Sequence, residues 1–201
     1  MCLERSERNG YKHEKNIGEG SYFAGSFRVV LQEGIRAVGI DRIIKDSGVA
    51  KASFYRNFAS KDELTVAHLE YRDELKVEKL EKPRQLYPNS PRKQLTLLLY
   101  DVIERIEPKT YRGCPFLNAA VEFPDPDHPV HIKMLAVQKS LWSRIQELVE
   151  ESGARQPEEL TAQLRMLYEG FIMKSYLDRS DSDPEDFRKA AELLMEEQFG
   201  E

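Results

Sequence analysis

The 201-residue sequence has two cysteines, Cys2 and Cys114, and a single tryptophan. Two cysteines cannot build a disulfide framework, which points to a reducing compartment, the cytoplasm. Long apolar runs are missing as well. The most apolar stretch, Leu95 to Ile103, is short and holds Thr96, Tyr100 and Asp101, so no segment is expected to span a membrane. The first twenty residues are polar, with four basic and four acidic side chains, unlike a signal peptide. No segment sustains period-two alternation and no internal repeat is visible, so strands have no signal. The remainder, 40% hydrophobic and 32% charged, is the composition of a globular protein able to bury its own core.

The net charge of −5 argues against a nucleic-acid partner only if it is evenly spread, and it is not. Residues 1–61 carry 11 Lys+Arg and 7 Asp+Glu, a net of +4; residues 62–201 carry 19 and 28, a net of −9. The sign of the local patch decides whether phosphates are attracted. A basic third followed by an acidic remainder suggests two modules with different partners.

Helical periodicity runs almost throughout. Phe23, Phe27, Val30 and Leu31 share one helix face. Ser60 with Glu63 forms a capping box that opens a long helix to about Glu81, ended by Pro83, Pro88 and Pro91. Leu95, Leu98, Leu99, Val102, Ile103 and Ile106 make the next stripe, stopped before Pro108. A short segment near Cys114 to Glu122 has room for two turns, and residues 123–129 are a Pro-rich loop. Three further helices are expected over about 130–151, 157–177 and 184–198. The fold class is therefore all-α. The organisation expected is a flexible arm over 1–21, a three-helix unit over 22–64, and a helical body over 65–201 joined by the helix of about 60–81.

Between Leu31 and Leu64 the helices become short. Ile40, Ile43 and Ile44 give about two turns ended by Ser47-Gly48, and a second short helix runs from near Ala50 to near Phe58. Two short helices across a tight glycine turn make a helix-turn-helix, whose second helix is able to enter a major groove. Val49, Phe54 and Phe58 suit the core, which leaves Lys51, Ser53, Tyr55, Arg56 and Asn57 outside. Lys and Arg neutralise phosphate, Ser and Tyr donate to its oxygens, and Asn reads a base edge. Arg42, on the preceding helix, joins this candidate set.

The run Gly48-Val49-Ala50-Lys51-Ala52-Ser53-Phe54-Tyr55-Arg56-Asn57-Phe58, followed by Ser60-Lys61-Asp62-Glu63-Leu64, resembles the DNA-binding signature of the tetracycline-repressor (TetR) family. The resemblance is close over Leu31 to Leu64. It implies a homodimeric transcription regulator with a three-helix DNA-binding half and a helical ligand-sensing half. By that likeness Lys51, Ser53, Tyr55 and Arg56 lie at or beside DNA-facing positions, and Lys61 contacts phosphate. The sequence departs from the pattern at Ala50, where a capping Ser or Thr is usual, and at Val38-Gly39, where Thr or Ser usually caps the second helix. Glycines 18, 20 and 25 also make the entry to the first helix irregular. Arg112-Gly113-Cys114-Pro115-Phe116-Leu117 is similar to sensor domains of TetR-type repressors that carry a Gly-Cys-Pro element.

Other features carry less. Ile17-Gly-Glu-Gly-Ser-Tyr-Phe23 lacks the third glycine of a phosphate-binding loop and reads as a flexible lead-in. Asp125, Asp127, His128 and His131 cluster, but no distant Cys or His completes a metal set, so a solvated loop is expected. His13 reads as exposed and His68 as structural or mildly regulatory. Cys114, before a short helix, is a candidate redox or electrophile sensor, with a buried thiol as the plainer reading. No catalytic triad or carboxylate pair is assignable, so no enzyme and no cofactor are expected.

Leu98, Val102, Phe116, Leu117, Met134, Trp142, Tyr168 and Phe171 are the candidate ligand-pocket residues, with plain core as the alternative. The resemblance implies a four-helix dimer interface, for which Leu164, Phe187 and Leu194 are candidates; otherwise those faces close the monomer's core. The expected protein is a repressor that binds a palindromic double-stranded DNA operator and is released by a small-molecule effector. The rivals are a helical adaptor that has lost operator binding and a thiol-based sensor using Cys114.

Overall fold

The computed structural model describes residues 34–48, 50–107 and 111–200. The expected arm over 1–21, the stripe from Phe23 to Leu31, the Gly-rich lead-in, His13 and Val49 lie outside them. Among the described residues there are eight α-helices and no strand: α1 Ile40–Ser47, α2 Lys51–Asn57, α3 Lys61–Leu86, α4 Pro91–Ile106, α5 Pro115–Glu122, α6 Pro129–Glu151, α7 Pro157–Leu177 and α8 Pro184–Phe199. None is long and apolar enough to cross a membrane.

The starts of these helices follow from the chain. Each of α4 to α8 opens on proline, whose missing N–H is an orphan at the first helical position anyway. Ser60 Oγ accepts from Glu63 N at 3.1 Å, and the Glu63 carboxylate accepts from Ala59 N at 2.6 Å. That is the expected capping box displaced by one residue at its return bond. Helices α1 and α2 start at Gly39 and Ala50, neither with a side-chain cap.

One boundary differs from expectation. Proline 83 does not end the linking helix; it lies buried within α3, which continues to Leu86, and Tyr87 N donates to Pro83 O at 2.9 Å. A proline this near a C-terminus disturbs only the last turn, and packing of α3 along α6 and α4 outweighs a local cost of ~3 kcal/mol.

Helix α3 packs on α4 and α6, α7 on α6 and α8, and α5 lies against α6. Two clusters of buried side chains fill the interior. One holds Ile43, Phe54, Phe58, Leu64 and Leu69 together with Val102, Phe116, Phe123, Val130, Met134 and Phe171. The other holds Leu95, Leu99, Trp142, Leu160 and Leu164. The first cluster crosses from the short helices into the body, so the two modules read from the charge pattern share a hydrophobic core.

Candidate functional site

Helices α1 and α2 are joined through Gly48, whose φ of 70° closes α1 with its N–H on Lys45 O. An L-residue is strained in that left-handed backbone, so glycine fixes the turn. Phe54 is fully buried, its ring 5.6 Å from that of Phe58. This anchor turns Lys51, Tyr55, Arg56 and Asn57 to the outside. Tyr55 is 44% exposed, held edge-on against Phe54 at 5.5 Å.

Some of these groups already have work within the chain. Lys51 Nζ lies 2.7 Å from Asp41 Oδ1, bracing α2 on α1, and that hydrogen bond holds the ammonium above its usual pKa. Arg42 lies 3.5 Å from Asp46. Asn57 Nδ2 donates to Ser53 O at 2.9 Å, which ties the amide to its own helix, and Ser53 is half-buried. Lys61 is also half-buried and donates to Arg36 O at 3.2 Å, with burial lowering its pKa. The exposed face is thus chiefly Lys51, Tyr55 and Arg56, a cation, a phenol and a guanidinium of the kind that phosphates and base edges accept.

In the body, a cavity of about 40 Å³ opens between α3, α4, α6 and α7. It brings together three of the expected pocket residues, Leu98, Trp142 and Tyr168. Val102, Phe116, Met134 and Phe171 instead belong to the first buried cluster, and Leu117 packs against it. They miss the cavity because it opens beside the second cluster, from which Leu99, Leu141, Trp142 and Ile145 line it. Its polar lining, Lys76, Lys79, Asp101 and Arg105, was not among the candidates. Of that lining only Lys76 had a signal in the sequence, its four-residue spacing from Arg72 and His68 on one helix face. Arg105 Nη1 donates to Tyr168 Oη at 2.6 Å, and Lys76 Nζ stands 3.8 Å above the fully buried Phe116 ring.

Cys114 is buried immediately before α5 and lies within electrostatic reach of Arg72, Lys76 and Arg105. At the other end of α5, Glu122 accepts from Ile35 N at 2.9 Å and Arg36 N at 2.6 Å, and Arg36 Nη1 returns to Glu122 O at 3.2 Å. Helix α5 therefore joins the cationic interior to the turn that precedes α1. His128 Nδ1 accepts from Val130 N to cap α6 while its Nε2 faces Asp62 Oδ2 at 3.3 Å; His131 Nδ1 lies 2.6 Å from Phe123 O. Asp125 accepts from Asp127 N at 3.0 Å. These side chains are occupied locally, and among the described residues no group of three is placed to hold a metal ion.

The expected interface residues divide. Leu164 and Phe187 are 0% and 3% exposed within a single chain, so they close its own core and are out of a partner's reach. Leu194 is half-buried against the second cluster. Amphipathic periodicity found the buried faces of these helices, and the candidates fall on them. On α7 the outward positions are Met166, Gly170, Met173 and Leu177, and on α8 Leu193. A Cβ at Gly170 would meet nothing within 4 Å.

An all-helical chain with a glycine-closed helix-turn-helix seated on a cavity-bearing helical body defines a helix-turn-helix protein with a C-terminal helical domain. The chain belongs to the TetR family. Residues 23–67 match the family described as bacterial regulatory proteins, tetR family, and residues 91–191 match the tetracyclin repressor-like C-terminal domain. The fold is similar to that of a TetR-family transcriptional regulator from Streptomyces coelicolor, with a TM-score of 0.83 and 29% identity over 90% of this chain and 96% of that one. A TetR-family regulator from Cytophaga hutchinsonii shares the fold at 16% identity, with a TM-score of 0.72 and all of both chains covered. The helix-turn-helix-type regulator YjdC of Escherichia coli (strain K12) is 25% identical over 92 residues, 46% of this chain and 48% of that protein. The match thus spans about half the length of that curated relative.

Proposed function

We propose that the protein is a homodimeric, sequence-specific DNA-binding transcription regulator, a repressor released from a palindromic operator when a small molecule enters the helical body. The observation that carries this reading is the exposed face of α2. Burial of Phe54 and Phe58 leaves Lys51, Tyr55 and Arg56 outward on a helix braced by α1. In a dimer the two copies of α2 would meet successive major grooves, about 34–36 Å apart. The outward stripe of Met166, Gly170, Met173 and Leu177 supports pairing through α7 and α8, because small and flexible apolar residues let helices approach closely.

Release would be a population shift between DNA-fitting and non-fitting conformers. Helix α5 supports the coupling: one end faces the cationic interior at Cys114, and the other bonds the 35–36 turn through Glu122. The Gly113-Cys114-Pro115 element would mark the pivot of that helix.

Selection of bound fragments from random DNA tests the reading. Enrichment of a two-fold symmetric motif, lost on Arg56→Ala, is expected. Absence of any enriched motif would favour the adaptor alternative, and release of bound DNA by oxidant in a Cys114-dependent manner would favour the thiol sensor.

A further inference from the structure

Lys76 holds its amine in an unusual place. The Nζ stands 3.8 Å above the Phe116 ring, which is fully buried, and lines the cavity between α3, α4, α6 and α7. A ring face attracts a cation but is a poor substitute for the hydrogen bonds of water. Among the described residues Lys76 makes neither a hydrogen bond nor an ion pair. Lys61 differs, because its ammonium donates to Arg36 O at 3.2 Å. Lys79 and Asp101, which share the cavity with Lys76, hold each other at 3.0 Å.

The surroundings favour the neutral amine. Burial acts first; Arg105 from α4 and Arg72 from one turn earlier on α3 oppose the ammonium, while Cys114 and Asp73 favour it. The result is a pKa pushed down to about 8. Near neutral pH a substantial share of Lys76 is therefore free amine. A desolvated lysine beside another cation is the usual form of a nucleophilic one. The reaction partner is limited by space. The cavity of about 40 Å³ has room for about three water-sized groups. That excludes a ring and admits a triatomic molecule. Leu98, Leu99, Trp142 and Ile145 make the rest of the wall apolar, which suits a molecule without a net dipole.

We propose that Lys76 is a carbamylation site, at which dissolved carbon dioxide adds to the amine and the carboxylate formed is received by Arg105. The Nζ lone pair attacks the carbon of carbon dioxide, an N–C bond forms and one C=O π bond opens onto oxygen. One N–H proton leaves to water, and the product is a carbamate anion with no oxidant or leaving group required. Arg105 commits one N–H to Tyr168 Oη, and a guanidinium has five. The modification reverses the sign of every local interaction. Arg72 and Arg105, which repel the ammonium, attract the carbamate. The negative face of Phe116, which attracts the ammonium, repels it. The side chain would thus leave α5, the helix whose Glu122 bonds the 35–36 turn. The assignment deepens the regulator reading by naming a chemical signal, and it rests on that reading only for the effect on DNA.

The full-length protein, equilibrated with isotope-labelled carbon dioxide at fixed neutral pH, should show a carbamate carbonyl in carbon NMR that Lys76→Arg lacks. Arginine keeps the charge and reach of the side chain but has no nucleophilic amine. Alkylation with a trialkyloxonium salt fixes a carbamate as its ester. Peptide mass analysis should then place the added mass on Lys76 about tenfold or more above the exposed Lys79. Arg105→Met should lower the yield on Lys76 several-fold and leave the background on exposed lysines unchanged. The idea fails if the parent and Lys76→Arg give the same carbamate signal, or if the trapped mass is spread evenly over the exposed lysines. None of these readings requires DNA, so they separate from failure to find an operator. With an operator in hand, carbon dioxide that leaves the parent's operator affinity unchanged, or shifts that of Lys76→Arg equally, would overturn the signalling role.

Discussion

Glu122 accepts a hydrogen bond from the backbone N–H of Ile35 at 2.9 Å across 87 residues of chain. Its second oxygen takes the next N–H, that of Arg36, at 2.6 Å. The turn is prepared by Gly34, whose φ of 96° suits glycine; a Cβ there would meet the Glu122 carboxylate only at ordinary contact, 3.5 Å, so backbone conformation rather than space selects glycine. One carboxylate from the end of α5 thereby satisfies two donors that no helix satisfies, just before the helix-turn-helix.

Glu122→Ala should leave both donors partly unsatisfied and cost about 1–2 kcal/mol in chemical denaturation. Glu122→Gln, which keeps one acceptor, should cost less. If α5 carries the signal, both variants should still bind the effector while losing part of its effect on DNA affinity. An unchanged effector response in Glu122→Ala would remove α5 from the mechanism.

Arg56→Ala and Tyr55→Ala should weaken operator binding without lowering stability, because both side chains are exposed. Where the deleted side chain is a cation on a phosphate, as Arg56 would be, the slope of log affinity against log salt should fall by about one. Fluorescence anisotropy across a salt series measures affinity and slope together. Lys61→Ala differs, because Lys61 holds Arg36 O at 3.2 Å, and it should also lower stability.

His68 is buried, and burial with Arg72 nearby lowers its pKa from 6.5 to about 3. A histidine kept neutral in the folded state contributes stability that is present above the unfolded pKa and lost as pH falls toward about 3. Between those limits the unfolded chain binds the extra proton, so stability should fall with acid by up to ~1.4 kcal/mol per pH unit. His68→Leu should flatten that slope in urea midpoints. A slope as steep as the parent's would show that other groups govern acid unfolding.

The two faces of α7 should respond oppositely. Leu164→Ala, in the core, should cost about 2–5 kcal/mol with no direct effect on association. Met173→Glu, on the exposed stripe, should leave chemical stability nearly unchanged per chain but shift the mass in light scattering toward a monomer. A dimeric Met173→Glu that retains parental affinity would exclude this face.

Much of the architecture is legible along the chain. Helical periodicity, Ser60 with Glu63, Gly48, and prolines at helix starts are local signals, and they located α1, α2 and α4 to α8 within a few residues. The failure at Pro83 is instructive, because the gain that carries α3 through it comes from packing on α6 and α4, which no local pattern contains. The outward face of α2 was legible for the same local reason: once Phe54 and Phe58 are inward, the positions of Lys51, Tyr55 and Arg56 follow from the helical repeat.

The sites in the body were less legible. A broad apolar face tells which helices are buried and does not tell which residues meet a cavity and which meet a partner. Val102 and Phe116 looked like pocket residues and are core, while Leu164 and Phe187 looked like interface and are core as well. The charged residues that do line the cavity were not among the candidates. Only the packing of α3 against α4, α6 and α7 turns Lys76 and Arg105 inward.

What the chain determined by itself is the all-helical fold and the outward face of α2, because capping, turns and periodicity act over a few residues. The opposed charges of its two parts were also plain in it, +4 over residues 1–61 and −9 beyond. Only the tertiary structure decided that the two parts share one core, that Glu122 ties one to the other, that the one tryptophan lines the cavity, and that Cys114 is buried within electrostatic reach of Arg72, Lys76 and Arg105. Each of those is a relation between residues distant in sequence, fixed by how helices pack and which charges that packing removes from water.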